Sequence, residues 1–446
     1  MSHLAKDFKF NPVQEGFTDK LAIFDPPKQE TSIVQHERTR FYSKTPVKEM
    51  GPATFFLSGM HGGYLDTSSC TMTVTLSIKK PGGLVKVKNA EDKVALANLP
   101  LYSIFSQVQL IMNGTEVNPG VGSLFPYKNY METLMEMTTE EKESKGLLRG
   151  YIEDNVGVVH VADPDPSSGP SNAGLTSRWR WTKDGQSVTF TGPLGLDEFD
   201  QIDRYLLNGV NLQLTFYHSR DNFRLMARDE SNAYELKLED MYISATMVRV
   251  RPEVLLEHSR LLSEKQDGLY AYPRTIMRQH IIPANVSNHT VCDVLEDRVP
   301  CQLVVGMVSG ESFNGSFTAN PFYFQHFNVE TIGFSVSGTT TLDRPMQMDF
   351  SSTNVTEPYA AFLSGVPHGH SSITPEKYAK GNSLFCFSME PHLCMVDGVY
   401  PVLKKGATRL ELKFKSALDH PVVVVLMMKT PGYYKVSESR LVSVDY

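Results

Sequence analysis

A chain of 446 residues, 41% hydrophobic and 21% charged, has room for two globular units of about 200 residues each. Its formal net charge of −7 argues against a protein that wraps nucleic acid through a broad basic face. The five cysteines, Cys70, Cys292, Cys301, Cys386 and Cys394, are odd in number and widely spaced, which fits a reducing compartment better than a disulfide framework.

The first residues, MSHLAKDFKFNPVQEG, contain no apolar core of signal-peptide length. The longest strongly apolar run, Val422 to Met428, is far short of a spanning helix and reads as a fully buried strand. The expectation is a soluble protein made without secretion, with no membrane span. Residues 1–48 read as an arm: polar and charged, with Pro12, Pro26, Pro27 and Pro46, and with Phe8, Phe10, Phe17, Phe24 and Tyr42 as scattered apolar anchors. Such an arm either lies on a neighbouring subunit or straps its own domain.

Residues 51–80 begin with Gly51-Pro52. They continue through Phe55, Gly59 and Tyr64-Leu65-Asp66 into a strand with Met72, Val74, Leu76 and Ile78 on one face. Thr71, Thr73, Thr75 and Ser77 form the polar alternate face, as a half-buried strand requires. In residues 94–137, Asn113-Gly114 lies between two alternating runs and predicts a hairpin. Tyr127, Tyr130, Met131, Leu134 and Met135 then recur at helical spacing, a core stripe rather than a cofactor box. Thr138 to Lys145 is charged and expected to be exposed, and 163–174 (DPDPSSGPSNAG) is the clearest loop. Arg178-Trp179-Arg180-Trp181 reads as a strand with a buried tryptophan face, ahead of an Asp184-Gly185 turn; nucleic-acid binding by so short a run is the lesser reading.

Residues 188–226 are the most informative. Val188, Phe190 and Pro193 close a strand, and Leu196, Phe199, Ile202 and Leu206 follow at near-helical spacing. Asp197, Glu198, Asp200 and Asp203 fall between them and read as a solvated helix face rather than a calcium or acid/base site. Asn208-Gly209 is a turn, and Val210, Leu212, Leu214 and Phe216 alternate as a strand. A weaker echo, residues 406–414 against 209–216, aligns Leu410 with Leu212. Either two amphipathic strands look alike by chance or the same β-fold occurs twice.

This stretch resembles the major capsid protein (hexon) of eukaryotic double-stranded DNA viruses of the polinton/adintovirus and adomavirus type. The matching residues are Gly192, Pro193, Leu194, Asp197, Phe199, Gln201, Arg204, Leu206, Asn208, Gly209, Val210, Ser219, Phe223, Leu225 and Met226. Two earlier blocks match in the same order: the residues of 51–80 named above, and Leu101, Ile104, Phe105, Gln107, Val108, Asn113, Gly114, Tyr127, Tyr130, Glu132, Thr133 and Leu134. The resemblance covers residues 29 to 230 well and the second half in outline.

It implies an all-β fold: two tandem jelly-roll β-sandwiches, a double jelly roll, with short helices in the connecting loops. The expected divisions are an arm at 1–48, a first jelly roll at 49–255 and a second at 256–446 with its tail. It further implies a structural protein, not an enzyme. The chain would form homotrimers shaped as pseudo-hexagonal capsomers, meet neighbouring capsomers, penton and minor capsid proteins, and tile an icosahedral virion shell assembled in the nucleus or cytoplasm. The 163–174 loop would face outward.

In the second half, residues 234–251 read as the last strand of the first unit and Pro252 to Lys265 as helical or linking. Strand-like runs follow at 275–282, 302–308, 323–327, 331–336, 346–350, 383–389, 409–414 and 422–428, with a tail at 439–446 that either adds a strand or makes a contact.

No catalytic, cofactor-binding or metal-binding residues are assigned. Gly120-Val121-Gly122 is not a nucleotide loop, and no nucleophile-elbow context occurs. His368, His370, Cys386, His392 and Cys394 fit no standard zinc spacing. The sequons at Asn113, Asn285, Asn288, Asn314 and Asn354 are taken as turn chemistry. The competing readings are a β-sandwich glycan-binding or adhesion protein and an enzyme on a β-scaffold.

Overall fold

The computed structural model describes residues 30–445 except 48–50, 58–62, 83–84, 89–90, 168, 231–232, 297, 342–343, 351–354, 367–370 and 391–400. Eight strands build a first sandwich: β1 (Ile33–Tyr42), β2 (Ala53–Leu57), β3 (Tyr64–Lys79), β4 (Phe105–Met112), β5 (Thr115–Glu116), β6 (Val188–Pro193), β7 (Leu212–His218) and β8 (Glu235–Val250). Eight more build a second: β9 (Gly268–Ile282), β10 (Asn288–Cys292), β11 (Gln302–Ser309), β12 (Val329–Val336), β13 (Thr339–Thr340), β14 (Leu384–Ser388), β15 (Thr408–Phe414) and β16 (Val422–Val436). The first sandwich pairs β1-β8-β3-β6 in one sheet and β2-β7-β4-β5 in the other. The second pairs β9-β16-β11-β14 and β10-β15-β12-β13, so adding eight to each label converts one topology into the other. Two antiparallel sheets of four, wound alike twice over, make a double jelly roll.

Leu212 and Leu410 lie in β7 and β15, which hold the same place in their sheets. The echo therefore joins equivalent strands. The hairpins repeat too: Asn113-Gly114 links β4 to β5 with φ of 45° and 88°, and Ser337-Gly338 links β12 to β13 with φ of 50° and 82°. Positive φ at both central residues matches the right-handed twist of the flanking strands. The tail adds a strand, Val442–Asp445, on β16.

The β3 alternation is as read. Met72, Val74, Leu76 and Ile78 are buried, while the Thr73 and Thr75 hydroxyls meet those of Thr191 and Thr189 at 3.0 and 2.9 Å across the other face. The first core closes on Phe216, with the Phe105 and Phe55 rings 4.9 and 5.7 Å away. Val422 to Met428 are all buried, for a reason that spans both sandwiches. Val422, Val424, Leu426 and Met428 enter the second core, whereas Val423, Val425 and Met427 join the cluster that continues into the first sandwich.

Helices occupy the connections. Helix α1 (Phe125–Glu136) buries the Tyr127, Tyr130, Met131, Leu134 and Met135 stripe, with Tyr130 stacked on Phe322 at 4.2 Å. Helix α2 spans Ala173–Trp181, and α3 is the single turn Asp197–Asp200. Helix α4 (Pro252–Ser263) links the sandwiches. Helix α5 is Thr356–Ser364.

Several expectations change. Residues 33–42, placed in the arm, form β1, hydrogen-bonded along β8 at the edge of the first sandwich. Arg178-Trp179-Arg180-Trp181 is helical, because the Asn172 side chain caps α2 and Arg178 turns inward. Residues 323–327 form no strand beyond a bridge from Phe324 to Asn382, and 346–350 supply only Met346–Gln347. Within the exposed 138–145 segment Lys142 is buried, donating to the Leu134 carbonyl at 3.2 Å and to Ser372. Residues 1–29 of the arm, Gly59, Asn354, His368, His370, His392 and Cys394 lie outside the described residues.

Candidate functional surfaces

The joint between the sandwiches gathers most of the buried charge. Lys128 on α1 reaches Asp197 at 2.9 Å and Glu132 at 2.8 Å, and donates to the Gly195 carbonyl at 3.2 Å. From the second sandwich, the β9 amide of Thr275 donates to Asp197 at 2.7 Å and the Tyr272 hydroxyl to Glu198 at 3.2 Å. Lys429 on β16 pairs with Glu136. The four acids are thus not a solvated face: Asp197 and Glu198 are buried, the Asp200 carboxylate accepts from the Gly195 N–H at 3.0 Å, and only Asp203, past the end of α3, is simply exposed. The error came from reading one helix in isolation, since the partner strand β9 is some 75 residues downstream.

Burial pushes the Glu198 carboxyl up to about 7, and neighbouring Asp197 adds to it. Burial likewise raises Glu132 to about 7, although Lys128 pulls the other way. For Lys128 burial opposes the charge, but Asp197 and Glu132 outweigh it and hold the ammonium well above the ordinary lysine range. Two carboxylates thus compete for one enclosed cation.

The residues that carry the capsid-protein resemblance build this joint. Gly192 admits Leu101, because a Cβ there would sit 2.8 Å from its methyl carbon. The Pro193 carbonyl accepts from the Tyr102 hydroxyl at 3.1 Å. Gly195 has φ of 72° and no room beside Asn129, so only glycine fits. Phe199 and Leu206 enter the core, Arg204 donates to the Leu269 carbonyl at 2.8 Å, and Asn208 accepts from Arg440 at 2.9 Å. Phe223 lies against Tyr127 and Phe322. Further links run the length of the joint: Met277 N–H to the Gly120 carbonyl at 2.8 Å, Ala227 N–H to the Phe317 carbonyl at 2.7 Å, and Lys377 to Glu153 at 2.8 Å.

A second buried pair lies in the long β5–β6 connection. Arg178 sits 3.0 Å from Asp154 and donates to the Leu96 and Ile152 carbonyls at 3.1 and 3.2 Å. Its guanidinium therefore holds the connection together and is not presented to a nucleic acid. Trp181 rests on Phe190, and Lys93 lies over the Trp179 ring.

Among the described residues, no group of three or more His, Cys, Asp or Glu side chains is arranged to hold a metal, and no helix is long and apolar enough to cross a membrane. Among the described residues Cys70, Cys292 and Cys386 are free thiols. A cleft of about 640 Å³ runs between α4, the start of β9 and the 202–207 segment. Sequence reasoning did not locate it, because its walls come from three separate parts of the chain.

This fold is shared with proteins of viral capsids. The chain superposes on a protein of the Sputnik virophage with a TM-score of 0.62 at 10% identity, covering 97% of this chain and 93% of that one. It superposes on the PBCV-1 virus capsid with a TM-score of 0.58 at 9% identity (95% and 99% covered), and on the Faustovirus major capsid protein with 0.57 at 9% (92% of each). In sequence it is 23% identical over 403 residues to an uncharacterised protein of Caenorhabditis elegans, covering 87% of this chain and 92% of that one. No family model matches the chain.

Proposed function

We propose that the chain is a major capsid protein: a hexon-like subunit that forms homotrimers and tiles the icosahedral shell of a double-stranded DNA virus. The observation that carries this reading is the duplicated strand order, locked at one relative orientation by the buried joint. Two like sandwiches at a fixed angle, repeated by a three-fold axis, place six similar sandwiches around one centre. The fold shared with capsid proteins over more than nine-tenths of the chain supports the same reading.

In this reading function resides in surfaces and no catalysis is performed. The partners are two further copies of the chain, neighbouring capsomers, and penton and minor capsid proteins; the location is the virion. The division between the two jelly rolls falls in α4, near residue 255, with the first preceded by the arm.

Native mass spectrometry combined with negative-stain imaging of the purified chain tests the proposal. Three times the chain mass with hexagonal outlines is the expected result. A stable monomer at high concentration and across salt would overturn it and turn attention to glycan binding.

A further inference from the structure

The cleft beside α4 is apolar within and acidic at its rim. Tyr205, Leu261, Leu269 and Tyr270 line it, and Tyr205 and Leu269 remain 39% and 43% exposed. Tyr64 closes one wall, its hydroxyl 2.7 Å from His258 Nδ1 on α4. Asp66, Asp203 and Asp267 stand around it, and among the described residues none has a basic partner within salt-bridge distance. Arg204, also in the lining, is engaged with the Leu269 carbonyl. An apolar slot with unpaired carboxylates at its edge fits an aromatic segment flanked by positive charge.

We propose that the cleft receives the Phe8–Phe10 segment of the chain's own N-terminal arm. Three observations converge on this occupant. The arm enters the fold beside the cleft: the Ser32 carbonyl accepts from Arg251 N–H at 2.9 Å, one residue before α4 begins. Ile33 lies opposite Val250, and Val248 opposite Tyr64 in the cleft wall, so the entry point is two strand spacings, about 10 Å, from that wall. The 22 residue-to-residue steps from Phe10 to Ser32 span up to ~70 Å when extended, which is ample.

The charges also match. Lys6-Asp7-Phe8-Lys9-Phe10 sets two lysines against one aspartate around its aromatic pair and is net positive, whereas Glu15 to Asp19 around Phe17 and Ala22 to Pro26 around Phe24 carry acids and no base. In an extended chain Lys6, Phe8 and Phe10 project to one side and Asp7 and Lys9 to the other, the Lys9 stem being long enough to bend back to the rim. Two rings would enter the slot while Lys6 and Lys9 meet the aspartates at its rim. Tethering makes the encounter intramolecular, with an effective concentration on the order of millimolar.

The test places benzoylphenylalanine at position 8 of the full chain, irradiates it, and maps the cross-links by mass spectrometry. The expected product is an intrachain link to peptides containing residues 202–207 or 258–270. Its yield should fall several-fold in an Asp203→Lys, Asp267→Lys background and recover when Lys6 and Lys9 are changed to Asp. Both aspartates are exposed, so the variant should fold, which its melting temperature checks. Cross-links elsewhere on the chain would overturn the proposal, as would a yield indifferent to the charge reversal. Links to the same peptides on a second chain would overturn the intrachain assignment and make the occupant another copy's arm. None of these outcomes depends on shell assembly.

Discussion

Strands β8 and β16 hold the same central place in equivalent sheets, yet their patterning differs. Through most of its length β8 alternates buried and partly exposed residues, whereas β16 buries seven in succession from Val422 to Met428. The difference lies outside the sheets. In the second sandwich the outer face of β9-β16-β11-β14 is covered by α1 and by ring clusters such as Tyr127, Phe322 and Phe324. In the first, the outer face of β1-β8-β3-β6 carries the Thr73–Thr191 and Thr75–Thr189 hydroxyl pairs. Topology is duplicated, but hydrophobic pattern follows whatever lies against each face.

The sharpest way to break this comparison is to place a charge on the outer face of each equivalent strand. Val304 on β11 is fully buried toward the first sandwich, and Thr75 on β3 is only half-buried. Val304→Asp should cost about 4 kcal/mol or more, enough to unfold a marginal protein, because a carboxylate would be enclosed without a partner. Thr75→Asp should cost within about 1 kcal/mol. Chemical denaturation of the two variants side by side measures the contrast; equal losses would show that both faces are covered.

The long connections differ in the same spirit. Arg178 and Asp154 anchor the β5–β6 connection through charge, while the β13–β14 connection is held by Tyr359, Phe362 and Tyr378 rings. Arg178→Ala should therefore cost about 3–5 kcal/mol, since it strands Asp154 in the interior. Tyr378→Phe should be neutral or slightly stabilising, because its buried hydroxyl has no hydrogen-bond partner among the described residues. Urea midpoints of the two variants test both statements.

The joint adds a pH dependence. Glu198 and Glu132 titrate near 7 in the folded chain, above the ordinary carboxylate value of about 4.3. Between those values the folded state holds protons that the unfolded state has released, so stability falls as pH rises through the window. Asp197, Lys128 and Arg274 face Glu198, and Lys128, Asp197, Glu136 and Lys429 face Glu132. Glu198→Gln keeps an acceptor for Tyr272 and removes the charge. It should raise the melting temperature by a few degrees at pH 8 and change little at pH 5. An equal shift at both pH values would mean that Glu198 is not protonated in the fold.

Where one face of one element carried the information, the sequence was readable. The β3 and β7 alternations, the α1 stripe, the Val422–Met428 run and the Asn113-Gly114 hairpin needed only local period and turn chemistry. Arg178 misled because two arginines alternating with two tryptophans have the period of a strand, while the helix rests on the Asn172 cap and on Asp154, a distant partner. Asp197 and Glu198 misled for the same reason: their neighbours Tyr272 and Thr275 come from the other sandwich. The resemblance motif is visible as a pattern in one dimension, but its physical meaning, a joint crowded enough to require Gly192 and Gly195, emerges only in three.

The smallest expected effect sharpens the comparison most finely, because it concerns the one turn the sandwiches share. Gly114 and Gly338 have φ of 88° and 82°, and nothing lies within 4 Å of a Cβ at either. Alanine at each should cost about 1 kcal/mol through backbone strain alone, by equal amounts. The preceding residues differ. Asn113, at φ of 45°, is a type that tolerates this region, and its side chain accepts from Asn211 N–H at 2.9 Å. Ser337, at φ of 50°, holds the equivalent position, its N–H donating to the Ala407 carbonyl at 2.8 Å as that of Asn113 donates to Asn211 at 3.0 Å. Ser337→Asn should thus stabilise the second hairpin by a few tenths of a kcal/mol, read as a higher urea midpoint at unchanged slope. A lower midpoint would mean that Gly406, close against the Ser337 hydroxyl, leaves no space for the larger side chain, and that the two turns are equivalent in backbone but not in surroundings.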